Sequence, residues 1–406
     1  MIRNMRNSSV DFIILLAALL LLLPTGCFSE STTRYAYRPP QQIDDGFDVG
    51  TLDEVGLNSA LLAKAVDRIK DGRFGEVHSM LIFKDNRLVF EEYFPGHDFQ
   101  WDGPNFHGAW VIWDRDTEHD VASVGKSITS ACVGIAIEEG FIESAEDSIF
   151  AYLPEYQDLN TAGKDRITIE HLVTMTSGLE WDEWGRSLSD VNNDLIALWF
   201  CDDPVACILE KRLVSEPGTD FSYNSGNSVL LGEIILNATG MNIEAFSAEY
   251  LFKPMGIETV AWNWINDDVV YAGGGQRMTP REMLAFGVTY LNNGLWDGQQ
   301  IVPAQWVEAS AKPFPGPGSS WRNSRWKPIP LDDGTRGQRG YSYAWFTHIF
   351  SHAGQKLPSY WATGFGGQKI IVFPDQNAVV VFTSGNYEMP SSNAEILADF
   401  VIPAFG

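Results

Sequence analysis

The sequence predicts an α+β fold: a helix-flanked antiparallel sheet built from both chain ends, with a mostly helical region inserted between them. Three observations predict it. Two apolar runs, Met80 to Phe83 and Leu88 to Phe94, flank the polar Lys84-Asp85-Asn86-Arg87, which is a hairpin signature. Strand-like runs return only near the C-terminus, at Tyr341 to Thr347, Lys369 to Phe373 and Ala378 to Thr383. The long stretch between them carries mainly helical patterning interrupted by loops.

In chain order, the first residues read as an export signal. Arg3 and Arg6 precede an apolar run from Phe12 to Leu23, followed by Pro24, Thr25, Gly26 and Cys27. The run is too short for a comfortable membrane span. Gly26-Cys27 resembles a lipobox, in which the cysteine becomes the lipidated first residue. Leu23 stands one place early and Pro24 occupies the usual leucine position, so simple secretion or an uncleaved anchor are the alternatives. The expectation is a signal over residues 1–26, a bacterial lipoprotein anchored through Cys27, and a periplasmic or cell-surface location. Residues 27–50, rich in Ser, Thr, Pro, Gln and Asp, read as a tether. Residues 51–406 form the globular part, with its helical insertion at about 120–340. A helix opens it, with Leu61, Leu62, Ala65, Val66 and Ile69 on one face.

The chain has 406 residues, 45% of them hydrophobic, enough to bury a substantial core. Its net charge of −25 argues against nucleic acid as a partner, because phosphates would be repelled. The acidity otherwise reads as a solvated surface. Of the four cysteines, Cys132 falls on the core side of a helix. Cys201 and Cys207 lie close together, as a local disulfide or as two free thiols. There is no C-x-x-C pair. His348 and His352 have helical metal-ligand spacing but follow an apparent strand and lack an acidic companion, so neither metal nor cofactor is expected.

The chemistry concentrates in three segments. Ser123-Val124-Gly125-Lys126 opens a helix that stops near Gly140. At this spacing the hydroxyl and the ammonium emerge on one face, a turn apart. A serine hydroxyl needs a base, and a buried lysine can be neutral at working pH. The helix start also supplies the Ser123 N–H for a developing oxyanion. Taken alone the motif is weak, since a capping serine and a surface lysine would look the same. A second copy, Ser324-Arg325-Trp326-Lys327, sits in a proline-flanked basic segment without helical pattern. The second element runs from Glu216 to Gly226 and presents Tyr223 in a polar loop, where it is placed to relay a proton. A packing tyrosine is the plain alternative. The third, Trp361 to Gln368, is a glycine-rich stretch before an apolar strand, where a ligand can approach the backbone. Trp181, Trp184 and Trp199 are candidate pocket walls, with ordinary aromatic packing as the other reading.

In order and context these segments resemble the class C β-lactamase-like family, the penicillin-recognising serine hydrolases. That family also includes D-amino-acid peptidases, esterases and 6-aminohexanoate-dimer hydrolases. Ser123 to Lys126 is similar to its S-x-x-K. LVTMTSGL from Leu172, PGTDFSYNSGNSVLLGEI from Pro217, and Gly273 to Gly287 with Met278-Thr279-Pro280 resemble further blocks, as does the segment from Trp361. The resemblance implies a β-lactamase/transpeptidase-like fold over residues 55–400. It also implies that Ser123 is acylated, that Lys126 is its base and that Tyr223 shares proton transfer. The oxyanion and substrate would then be held by Ser123, Phe365, Gly364, Ser225 and Asn224.

Two departures matter. The family's Y-x-N reads Tyr223-Asn224-Ser225 here, and its strand K-T-G reads Ala362-Thr363-Gly364, without the cation that grips a substrate carboxylate. Both favour a serine hydrolase of ester or small amide substrates, closest to the 6-aminohexanoate-dimer hydrolase-like branch. The alternatives are a D-amino-acid peptidase of cell-wall peptides and a non-catalytic binding protein on the same scaffold. A Ser–His–Asp enzyme is disfavoured because no G-x-S-x-G elbow occurs.

Overall fold

The structure, a computed structural model, describes residues 35–258, 260–312, 340–387 and 393–406. Cys27 and the second motif at Ser324–Lys327 lie outside them.

The hairpin forms as the pattern predicts. β1 (Val77–Lys84) and β2 (Arg87–Tyr93) pair antiparallel. Asp85 and Asn86 turn between them at φ 51° and 63°, a left-handed pair that these residue types tolerate. A smaller antiparallel hairpin follows, made of β3 (Gly96–Phe99) and β4 (His107–Val111). From the C-terminal end come β5 (Gly340–Ser342), β6 (Trp345–His352), β7 (Gln355–Gly364), β8 (Gln368–Phe373) and β9 (Ala378–Ser384). The main sheet runs β2-β1-β9-β8-β7-β6-β5, antiparallel throughout. Both chain ends therefore build one sheet, as the α+β reading expects.

Two layers cover the sheet. α1 (Ser59–Lys70), capped by the Asn58 side chain, buries Leu62, Ala65, Val66 and Ile69 against Met80, Ile82, Val380 and Phe382. The C-terminal segment adds Ile396, Leu397 and Val401 to that side. The opposite face, with Leu81, Ile370, Val379 and Val381, meets the inserted helices. These include α2 (Gly125–Glu138), α3 (Ile169–Val173), α4 (Ser225–Thr239) and α5 (Pro280–Leu291). The uninterrupted apolar run Ala378 to Phe382 suits a strand buried on both faces. α5 presses close to the sheet at Gly287, where a Cβ would stand 2.6 Å from Ile370 and 2.7 Å from Val379.

Three expectations need correction. Tyr341 to Thr347 is two strands, because Tyr343 and Ala344 turn at φ 47° and 67°. Neither residue type signals a left-handed turn. Tertiary bonds hold it: the Ser127 and Ser130 hydroxyls donate to the Ala344 and Tyr343 carbonyls, at 2.8 Å each. β7 escaped the pattern because Pro358 and polar residues interrupt it. Residues 35–50, read as tether, pack on the body. Phe47 is buried, and Arg281 donates to Asp45 (2.7 Å) and to the Gln41 carbonyl (3.0 Å). His348 and His352 both lie in β6, where four residues span about 13 Å, so they do not share a metal.

Candidate active site

Ser123 sits in a single 3-10 turn, Ala122–Val124, that leads directly into α2. Ala122 holds a left-handed φ of 47°, an uncommon conformation for alanine. It is kept there by its N–H, which donates to Asp120 Oδ1 (2.7 Å), and by its carbonyl, which accepts from Gly275 N–H (3.1 Å). Glycines let the surroundings close on this turn. A Cβ on Gly274 would come within 2.4 Å of the Ala122 carbonyl oxygen and 3.1 Å of Ser123 N. One on Gly364 would come within 2.3 Å of the Val121 carbonyl. The end of β7 is thereby pressed against the Ser123 turn, and Phe365, the next residue, lines the cleft over Ser123.

One turn on, Lys126 is 2% exposed. Its Nζ stands 3.1 Å from Ser123 Oγ and donates to the Gly273 carbonyl at 2.6 Å. Burial pulls its pKa down to about 8, while the nearby Glu183 carboxylate acts in the opposite direction. The Tyr223 ring centroid lies 5.0 Å from Lys126 Nζ, and Ser123 is among the groups that act on its phenol. Burial drives its phenol well above the ordinary value, so the hydroxyl keeps its proton. The Leu172–Leu179 block positions this loop. Met175 accepts the Ser222 N–H at its carbonyl (2.9 Å) and the Asn224 N–H at Sδ (3.4 Å), and Ser177 donates to Asn227 (2.9 Å). The three predicted side chains are thus brought together.

Asn224 and Ser225 are placed differently. Asn224 caps α4, accepting the Asn227 N–H at 3.2 Å. The Ser225 N–H and hydroxyl both donate to the buried carboxylate of Glu183, at 2.8 and 3.1 Å. Like Lys126 and Tyr223, neither residue is among those lining the cleft, and their bonds give Asn224 and Ser225 a supporting position in place of the expected substrate contact. Gly364 likewise serves close packing rather than lining.

Sequence reasoning missed Glu183, which does line the cleft. Its Oε2 also accepts the Trp181 indole N–H (2.6 Å), and burial raises its pKa although Lys126 and its donors lower it. The signal was present in an acid set between tryptophans in Trp181-Asp182-Glu183-Trp184. Asp120, whose carboxyl burial pushes up to about 6, and Tyr271 line the same cleft. The cleft measures about 120 Å³, with Phe99, Trp101, Trp184 and Trp199 among its walls. Trp184 and Trp199 are pocket walls as read, whereas Trp181 lies behind Glu183. A larger depression of about 590 Å³, lined by Asp45, Arg115 and Arg281 among others, shares no residue with it.

The missing strand cation is not replaced from across the sheet. Ala362 faces the Ser123 side, packed in the cluster with Val121 and Val124. Lys369, paired with Thr363, lies on the other face, its Nζ donating to Thr363 Oγ1 (3.0 Å) over the Trp361 ring.

The profile of the beta-lactamase family matches residues 75–402. The chain belongs to this family. An uncharacterized protein of Alkalihalophilus pseudofirmus is 25% identical over 340 residues, covering 77% of this chain and 84% of that one. A protein of Salmonella agona, provisionally named a D-alanyl-D-alanine carboxypeptidase, is 23% identical over 225 residues. That match covers 52% of this chain and only 49% of the relative. Among solved structures, a provisionally named 6-aminohexanoate-dimer hydrolase from Bacillus anthracis superposes with a TM-score of 0.64 at 20% identity. It covers 92% of this chain and 88% of its own. A family VIII carboxylesterase gives 0.56 at 14% identity, covering 84% and 96%. These likenesses establish the beta-lactamase family's fold, which serves esterases, amidohydrolases and carboxypeptidase-like proteins.

Proposed function

We propose that the protein is a serine hydrolase that cleaves esters or small amides through an acyl-enzyme. The observation that carries this reading is the 3.1 Å approach of Lys126 Nζ to Ser123 Oγ, with burial bringing the amine's pKa to about 8. Near that pH a useful fraction of Lys126 is neutral and accepts the Ser123 proton as Oγ attacks the substrate carbonyl. The Ser123 N–H, with the Phe365 N–H at the end of β7, receives the oxyanion. Tyr223 passes the proton to the leaving alcohol or amine. Water, activated by the same pair, then attacks the acyl ester and restores Ser123.

Size and charge favour compact, uncharged substrates. About 120 Å³ is well below the ~300 Å³ at which drug-sized sites begin, and aromatic walls suit short acyl groups. Among the described lining residues there is Asp120 and Glu183 but no Lys, Arg or His to hold a carboxylate. A D-amino-acid peptidase or a β-lactamase needs such a cation. The test is labelling with a fluorophosphonate, followed by a panel of p-nitrophenyl esters, small amides and D-alanyl peptides. Labelling at Ser123 with ester turnover supports the reading. Labelling with turnover of D-alanyl peptides alone replaces it with the peptidase, and no labelling leaves the binding-protein alternative.

We further propose that the chain is exported and anchored through lipidated Cys27. The Cys201–Cys207 disulfide, with Cα atoms 6.6 Å apart, supports an oxidising compartment.

A further inference from the structure

Four of the seven histidines gather at the edge where the β3–β4 hairpin meets the main sheet. Glu76, the residue before β1, is their centre. Its Oε2 accepts the His97 backbone N–H at 2.8 Å, and its Oε1 lies 2.7 Å from His97 Nδ1. The His107 ring stacks on that of His97, with centroids 4.5 Å apart and planes within 5°. One donor atom from each of Glu76, His97 and His107 falls within 4.8 Å of the other two. All three residues are half-buried, so solvent and small ions reach them.

A second, independent feature points the same way. His78 is 1% exposed, yet neither ring nitrogen has a hydrogen-bond partner. Its Nε2 faces Glu76 Oε2 from 3.7 Å, beyond hydrogen-bond reach. The imidazole is packed against the stacked pair of Trp113 and His119, with centroids 4.9 and 5.5 Å away. A buried imidazole without a partner calls for an explanation, and a ligand seated at the carboxylate it faces is one.

We propose that Glu76, His97 and His107 form a binding site for a divalent transition-metal cation of the zinc type, with His78 supporting the carboxylate from behind. One carboxylate and two imidazoles suit a borderline cation. Metal–ligand bonds of about 2.0–2.2 Å place donors within ~4 Å of one another, so small side-chain rotations close the set. The sequence offered no hint, because Glu76, His97 and His107 show no ligand spacing and meet only when the hairpin folds onto the sheet.

The site has a place in the fold. Glu76 immediately precedes β1 of the main sheet, His97 belongs to β3 and His107 to β4, so one cation staples the hairpin to the edge of the sheet. The same hairpin carries Phe99 and Trp101 into the wall of the Ser123 cleft, and Phe106 packs edge-on against Phe365 at 5.4 Å. The metal would thus order a cleft wall without touching the reacting atoms.

The test uses the full chain, purified in detergent, stripped with a chelator and titrated with Zn²⁺ by calorimetry and with Co²⁺ by visible absorption. The expected result is one equivalent per chain, a Co²⁺ d–d band from nitrogen and oxygen ligands, and a higher melting temperature with Zn²⁺. Glu76→Gln and His97→Ala should abolish binding, and His78→Phe should weaken it by about 10- to 100-fold, as loss of an outer partner does. His352→Ala should leave it unchanged. His107→Gln keeps a donor for the Gly385 carbonyl that His107 contacts at 2.9 Å, so it removes the ligand while sparing the fold. Absence of saturable binding in the wild type overturns the proposal. So does unchanged affinity in a folded His107→Gln protein.

Discussion

Ser225 holds Glu183 with both of its donors, the backbone N–H at 2.8 Å and the hydroxyl at 3.1 Å. The carboxylate so fixed lies in the cleft and acts on Lys126, favouring the charged amine against the effect of burial. Glu183→Gln keeps the shape and removes the charge. The Lys126 pKa should then fall below about 8, and the acid limb of the pH profile of kcat/KM should move to lower pH. An unmoved limb, measured on the best ester, would show that Glu183 does not tune the base.

Ser123→Ala should abolish fluorophosphonate labelling and lower turnover by about 10³-fold or more, because nucleophile and base act as a unit. Lys126→Ala should be comparably damaging. Labelling retained in Ser123→Ala and lost in Ser324→Ala would assign the chemistry to the second motif.

In the wild-type protein, any ester turnover should rise with pH through about 8, as Lys126 loses its proton. The same shift has a stability sign. The folded-state pKa lies below the ordinary 10.5, so the unfolded chain binds more protons between about 8 and 10.5. This group therefore adds stability as pH rises through that window and adds none below it. Thermal melts of Lys126→Met should lack that component.

β-Lactam antibiotics carry a carboxylate that must be held while the ring carbonyl meets Ser123. With Ala362 on the site face and Lys369 on the other, no cation on the described strands does so. A charge-assisted hydrogen bond is worth about 1.5–3 kcal/mol, or roughly tenfold to a hundredfold in rate. Turnover of penicillins and cephalosporins should be very weak beside that of p-nitrophenyl esters. A cephalosporin cleaved as fast as the best ester would contradict the assignment.

Cys27→Ser should release the protein from the membrane fraction, since one residue carries the anchor. Wild-type protein found wholly soluble and without added lipid mass would end the lipoprotein proposal.

What the sequence determined by itself is local in origin. The hairpin at Asp85-Asn86, the helix from Gly125 to its stop at Gly140, and the apolar strand from Ala378 follow from turn chemistry and periodicity within a few residues. The Ser123–Lys126 pairing is local too, because three steps along a helical turn place both side chains on one face. Tyr223 was legible only through the resemblance of its loop to a family.

The tertiary structure decided the rest. β7 is a strand because β6 and β8 pair with it on both sides, despite Pro358. The turn at Tyr343-Ala344 is held by serines of α2, more than two hundred residues earlier in the chain. Glu183 meets Ser225, and Glu76 meets His97 and His107, through contacts between separate elements. A residue's type states what bonds it can make. Which partners it meets, and whether burial leaves it charged, depends on how distant segments pack, and that information is not carried by any single stretch of the chain.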